Sequence, residues 1–324
     1  MKQAQQENSK PLPGLIATLT AGFELTTSHP WLVALPIIVD LFFWLGPRLS
    51  VERMMLRYER ILAAEPGLSG MADQVAELAS GYNLFTALSV PLAGVPTLMG
   101  GASPETTPLA PAILRVEGWL GFGGLFIVLT LAGVFLAASY LSLIALALRK
   151  PDEAAISAFK RVVNFAKSTA LAWIRLLALG VFLIITILVI LLPLLPVAYL
   201  AALLSQGLAI VVLMLGIVFV VTYLSMSVPG IVLDGRPVGE SVVHSVRFVR
   251  RFMSPTMNIL FVIIIVGWGT NLLWRLADTG NWLTIVSIAG HGFVSTALVS
   301  AIFIYYQDRT AVHVHWAKES NDKK

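Results

Sequence analysis

Long apolar runs, broken by short polar and charged segments, dominate the chain. A membrane-crossing helix needs about 20 apolar residues, from a roughly 30 Å hydrocarbon core and a 1.5 Å rise per residue. Six segments meet or approach that length, at about 31–46, 119–148, 169–192, 207–228, 255–276 and 282–306. The first is short, holds Pro36 and Asp40, and is bounded by Pro30 and by Gly46-Pro47. The second exceeds a single span and predicts tilt or projection. Between the third and fourth, Pro193-Leu-Leu-Pro196 and the uncharged stretch to Gln206 predict a tight turn at the membrane surface. The pattern predicts an all-α polytopic membrane protein of six transmembrane helices forming one integral domain.

A helical period also appears outside the spans. Val51, Met54, Met55, Tyr58, Ile61 and Leu62 alternate with charges, so an amphipathic helix is expected within the 48–117 loop. Residues 83–99 are apolar but broken by Pro91, Gly94 and Pro96, which predicts an interfacial or re-entrant hairpin. Residues 100–111 read as a flexible connector. An apolar stripe of Leu12, Ile16, Leu19 and Phe23 predicts a cytoplasmic amphipathic helix over 11–28.

Composition agrees with this pattern. The 324 residues are 57% hydrophobic and 12% charged, with a mean hydropathy of +0.83, which excludes both an ordinary soluble domain and a disordered chain. Cysteine is absent, so disulfides, thiolate metal sites and cysteine nucleophiles are excluded. The net charge is +4, but the basic residues lie between apolar spans rather than in one patch, so no nucleic-acid partner is expected. The first ~28 residues lack a compact apolar core and a small-residue cleavage site, so no cleavable signal peptide is expected.

Lysine and arginine set the expected orientation. One set comprises Lys2, Lys10, Arg149, Lys150, Lys160, Arg161, Lys167, Arg236, Arg247, Arg250, Arg251, Arg309, Lys318, Lys323 and Lys324. The other is Arg48, Arg53, Arg57, Arg60, Arg115 and Arg275. The positive-inside rule then places both termini in the cytoplasm, with the 48–117 loop outside and 308–324 as a cytoplasmic tail. The location this implies is the bacterial cytoplasmic membrane.

An internal repeat is visible. Tyr140-Leu-Ser-Leu and Tyr223-Leu-Ser-Met close the second and fourth spans, and Glu153–Lys167 aligns without gaps with Glu240–Ser254. In the second copy, Val242, Val246, Val249 and Met253 oppose Glu240, His244, Arg247 and Arg251. His29-Pro30 and Ser254-Pro255 open the first and fifth spans alike, a polar cap before a helix-initiating proline. Three units follow, each an amphipathic helix and a transmembrane hairpin. They are either parallel repeats about the membrane normal or the ordinary appearance of amphipathic helices before spans. Lys160, Arg161, Lys167, Arg247, Arg250 and Arg251 are candidate contacts for anionic headgroups, and the bilayer is the expected partner alongside a possible membrane-protein partner.

Residues 228–260, VPGIVLDGRPVGESVVHSVRFVRRFMSPTMNIL, carry a proline leaving a span, an acidic-glycine turn, and Glu240, Ser245 and Arg247 on a basic helix. This stretch resembles the membrane domain that precedes the catalytic domain of some bacterial glycerophosphodiester phosphodiesterases, and related uncharacterised bacterial multi-pass proteins. The resemblance covers about a tenth of the chain and includes no catalytic domain. It implies a membrane module, not phosphodiesterase activity.

Four polar residues inside the spans are candidates for chemistry: Asp40, Arg175, Asn271 and His291. A carboxylate within a membrane must face the bundle, be protonated, or have a partner, and Arg175 lies at a similar depth. The pair could line an ion or proton path, or lock helix register. Asn271 and His291 fit interhelical hydrogen bonds. His313 and His315, two residues apart, diverge on a helix and suggest no metal. Gly121, Gly123, Gly124 and Gly133 suit close helix packing rather than a phosphate loop. No cofactor and no catalytic motif is expected. The role expected is that of a scaffold, accessory subunit or lipid- or protein-handling module, with a transporter or channel lined by Asp40, Arg175 and His291 as the alternative.

Overall fold

The structure, a computed structural model, describes residues 12–64, 75, 81–89, 94–100, 104, 106–149 and 158–321, with side chains described up to 311. Readings made for Lys2, Lys10, Pro91, Lys150, the 153–157 stretch, and the side chains of His313, His315 and the tail lysines lie outside the described residues.

Ten helices are described: α1 (Leu15–Ser28), α2 (Ala34–Leu45), α3 (Glu52–Ala63), α4 (Trp119–Leu148), α5 (Ala158–Leu204), α6 (Gln206–Leu224), α7 (Ser227–Val232), α8 (Val238–Arg251), α9 (Met253–Trp274) and α10 (Thr284–Asn321). Short 3₁₀ turns, Pro30–Val33 and Leu84–Leu88, precede α2 and open the re-entrant segment. Strands β1 (Arg48–Ser50) and β2 (Ile113–Arg115) pair in parallel and tie the ends of the loop together. Five helices are long and apolar enough to cross a membrane, or six if the bent pair α1–α2 is one span.

Helix α10 is the centre of the bundle. Half of its apolar window (50%) is buried, against 11% in α5 and α9, because α1, α2 and α9 pack against it. The α1–α2 pair follows α10 antiparallel along much of its length. Pro13 accepts a hydrogen bond from Arg309, Gly22 meets Ala297 and Ala301, and Phe23 faces Phe293. The chain then turns by 93° at His29-Pro30. Beyond the bend, Val33, Pro36 and Ile37 pack on Gly292, and Trp44 donates to the Thr279 carbonyl at 2.8 Å and lies edge-on to Trp282.

The face α1 turns to α10 is Thr18, Gly22 and Thr26, all buried, whereas Ile16 of the apolar stripe is 79% exposed. Both threonine hydroxyls donate back to carbonyls four residues earlier, which removes their polar penalty and leaves a thin face for close approach. The helix expected over 11–28 therefore exists, but it is packed along the last helix through small residues.

The expected turn at Pro193–Pro196 is corrected. Helix α5 runs unbroken through both prolines to Leu204, and the chain reverses at Ser205. A helix tolerates proline where neighbours and local adjustment re-satisfy the freed carbonyls. Ser205 is extended and its hydroxyl accepts from the Leu208 N–H, so it caps α6. The third span is likewise not separate from the basic segment before it. From Ala158 to Leu204 is one 47-residue helix, about 70 Å long and well beyond a bilayer core. Beyond about Val181, α5 and α6 pack chiefly on each other and expose apolar side chains.

The three proposed units thus differ locally: a 93° bend in the first, a continuous helix in the second, and a break at Phe252 in the third. The two YLS motifs also differ. Tyr140 is fully buried and donates to Thr296, while the Tyr223 carbonyl accepts from Ser245.

A test of the α1–α10 contact follows from its lack of space. Gly22→Val should destabilise the protein by about 1–3 kcal/mol through overpacking. Gly124→Val, where a Cβ meets nothing within 4 Å, should be near neutral. Equal thermal denaturation midpoints for the two variants in detergent would disprove the close packing.

Candidate functional site

Two polar clusters lie in the bundle, one at the end bearing the 48–117 loop and one at the opposite, turn end. At the loop end, residues 84–89 and 94–100 lie between α2 and α4. The Leu88 backbone lies against Gly133, 14 residues into α4 from Trp119, or about 21 Å along the helix. Only glycine permits that approach, since a Cβ would sit within 3 Å of the Leu88 backbone. The two limbs are tied by Ser89 and Thr97, whose hydroxyls are 2.9 Å apart. Asn83, buried at the entry, accepts from the Leu49 and Phe85 N–H groups.

Asp40 anchors the returning limb. Its Oδ2 accepts from the Leu98 N–H at 2.9 Å and its Oδ1 from the Met99 N–H at 2.8 Å. The carboxylate is fully buried. Arg275, just after α9, donates to the Leu98 carbonyl at 3.3 Å and acts electrostatically on both Asp40 and His291. His291 is buried on α10, with its Nε2 3.4 Å from Ser295 Oγ and its Nδ1 without a hydrogen bond among the described residues. Asn271 is half-buried one turn before Arg275, and its side-chain amide makes no hydrogen bond among the described residues.

The expected Asp40–Arg175 pair is therefore corrected. Arg175 donates instead to the Gly235 carbonyl at 2.6 Å. Similar depth in sequence did not bring the two side chains together, because Asp40 is occupied by backbone donors that no side-chain inventory contains. The partner that does reach its field, Arg275, belongs to the arginines assigned to the loop side.

The turn-end cluster is built on residues 233–237. Gly235 has a φ of +65°, a conformation that suits glycine. Three helices donate hydrogen bonds to this turn. Arg149 of α4 donates to the Leu233 carbonyl, Arg175 of α5 to Gly235, and Tyr306 of α10 to Asp234 Oδ2 at 2.6 Å. His244 of α8 lies 3.4 Å from the Tyr306 hydroxyl. Arg236 closes an ion pair with Asp234 at 2.9 Å. Below it, Ser245 accepts from the Met226 N–H and donates to the Tyr223 carbonyl.

Helix α8 is amphipathic as expected, but rotated. Its buried face is Ser241, Ser245, Phe248 and Val249, and His244 turns toward Tyr306 rather than to the charged side. Arg247, Arg250 and Arg251 are exposed, as are Lys160, Arg161 and Lys167 on α5. Arg309, grouped with these cations in sequence, is buried instead. It lies 3.7 Å over the Tyr305 ring.

Sequence reasoning did not single out Asp234, Tyr306 and Arg149 as one cluster. Its only signal was the acidic-glycine turn within 228–260. Among the described residues no group of three histidines or carboxylates is placed to hold a metal ion. Chemically, both clusters satisfy backbone and hold helices together. Comparison of the chain with family models, curated proteins and solved structures finds no match.

Asp40→Ala should cost about 3–5 kcal/mol, because two buried N–H groups lose their acceptor and Arg275 loses a nearby negative charge. Arg175→Ala should cost less, about 1–3 kcal/mol, for one charged hydrogen bond. In a double-mutant cycle on unfolding in detergent, the two should add within about 0.5 kcal/mol. A coupling well above 1 kcal/mol would restore the discarded ion pair.

Proposed function

We propose that this chain is a non-enzymatic multi-pass protein of the bacterial cytoplasmic membrane, with both termini in the cytoplasm, serving as a scaffold or as a lipid- or protein-handling module. One observation carries the reading. Asp40 and Arg175 stand apart: Asp40 is taken up by the Leu98–Met99 backbone at one end, and Arg175 by the Gly235 turn at the other. The exposed apolar arm of α5 and α6 supports the scaffold role. It carries an open groove of about 510 Å³ lined by Val189, Pro193, Leu194, Leu215 and Phe219, a surface suited to acyl chains or to a partner helix. The exposed basic residues Lys160, Arg161, Lys167, Arg247, Arg250 and Arg251 support contact with anionic headgroups. The likeness of 228–260 to phosphodiesterase-associated membrane domains fits a module of this kind and brings no catalytic residue with it.

Purification in native nanodiscs should yield the protein with a membrane-protein partner or an enriched lipid class, identified by mass spectrometry. Reconstituted alone in vesicles it should pass no ions or solutes. Flux that disappears in Asp40→Asn or His291→Phe would overturn this reading in favour of a transporter.

A further inference from the structure

The 48–117 segment contains a cleft of about 470 Å³ between α3 and the start of α4, within the size range of small-ligand sites. One wall is α3. This helix buries Met54 and Leu62 and turns Arg53 and Arg57, one helical turn apart, into the opening. The other wall is the Val116–Trp119 backbone, where Gly118 takes a φ of +80°.

The charges are poised rather than consumed. Arg53 meets Glu117 at 3.4 Å, but their side chains are 61% and 74% exposed, so the pair is weak. Arg57 forms no ion pair with a described residue. Below the arginines, Tyr58 and Trp119 stand edge-to-face with centroids 6.4 Å apart. Trp119 is the first residue of a helix apolar enough to cross a membrane, so these rings sit at the height where Trp and Tyr gather at the membrane–water boundary. From Trp119 an aromatic column continues along α4 through Phe122 and Phe126, at 6.2 and 6.1 Å between rings. Both Trp119 and Phe126 are exposed.

Cations, then amphipathic rings, then a fully apolar track repeat the order of polarity of a phospholipid: phosphate, glycerol ester, acyl chain. We propose that this cleft binds an anionic phospholipid of the leaflet at the loop end, the outer one in the orientation proposed above. The phosphate is held between Arg53 and Arg57, and an acyl chain lies along Trp119, Phe122 and Phe126. Guanidinium groups suit this role because they bind phosphate oxygens through paired, charge-assisted hydrogen bonds. Glu117 pairs with Arg53 and gives way to the phosphate. The inference rests on the lipid-handling reading and names its site.

Native mass spectrometry of the full chain, released from micelles doped equally with phosphatidylglycerol and phosphatidylcholine, tests it. The wild type should retain phosphatidylglycerol preferentially. Arg53→Gln/Arg57→Gln should lower that retention about tenfold or more, equivalent to about 1.4 kcal/mol, and Arg53→Lys/Arg57→Lys should restore part of it. Trp119→Ala/Phe126→Ala should weaken lipid retention while soluble glycerol phosphate fails to compete, which separates a lipid from a free phosphate ester. Unchanged retention in Arg53→Gln/Arg57→Gln, with loss in Arg247→Gln/Arg250→Gln, would move the lipid to the opposite face and overturn the site. That result would leave the non-conducting role standing, and vesicle flux would sink the role without touching the cleft.

Discussion

Leu98 and Met99 present successive backbone N–H groups in the part of the chain that folds back between α2 and α4, and the Asp40 carboxylate accepts from both. Irregular backbone at membrane depth is tolerated only where protein supplies its hydrogen bonds. A carboxylate buried there is tolerated only where donors meet it. Each group removes the other's penalty, and Arg275 completes the exchange by donating to the Leu98 carbonyl. The contact ties α2 to the segment that also packs on α4 at Gly133.

The opposite end obeys the same constraint with different groups. The 233–237 turn leaves carbonyls that no helix satisfies internally, and Arg149 and Arg175 donate to them. Asp234 pairs with Arg236 and accepts a hydrogen bond from Tyr306. Asp40 and Arg175, which look in sequence like parts of one path, each bond in the folded chain to non-helical backbone at opposite ends of the bundle. Between the two ends the packing is thin-faced, with glycine, alanine and threonine at the α1–α10 contact. Beyond these contacts, the α5–α6 arm exposes apolar side chains and a cleft opens at the loop end.

The long elements were legible because apolar length and helical period are local properties. The length of α4, the amphipathic α3 and the break before Pro30 can be read from residues alone. What could not be read depends on tertiary partners. Pro193 and Pro196 look like a turn in sequence, yet the turn forms at Ser205, whose hydroxyl caps the next helix. Thr18, Gly22 and Thr26 of α1 are buried more fully than its apolar stripe, because small residues allow the closest approach to α10. Asp40 was recognisable as a group needing a partner. That the partner would be backbone was hidden, since N–H groups carry no residue identity.

The absence of cysteine allows the central contact to be tested directly. A single cysteine at Val95, buried in the re-entrant segment, should resist a membrane-impermeant maleimide added to either side of sealed vesicles, while one at exposed Tyr58 reacts readily. Adding Asp40→Ala should release the segment and make position 95 react from the loop side. If position 95 reacts as fast as position 58 with Asp40 present, or stays protected once the carboxylate is gone, Asp40 does not hold the segment and the account is wrong.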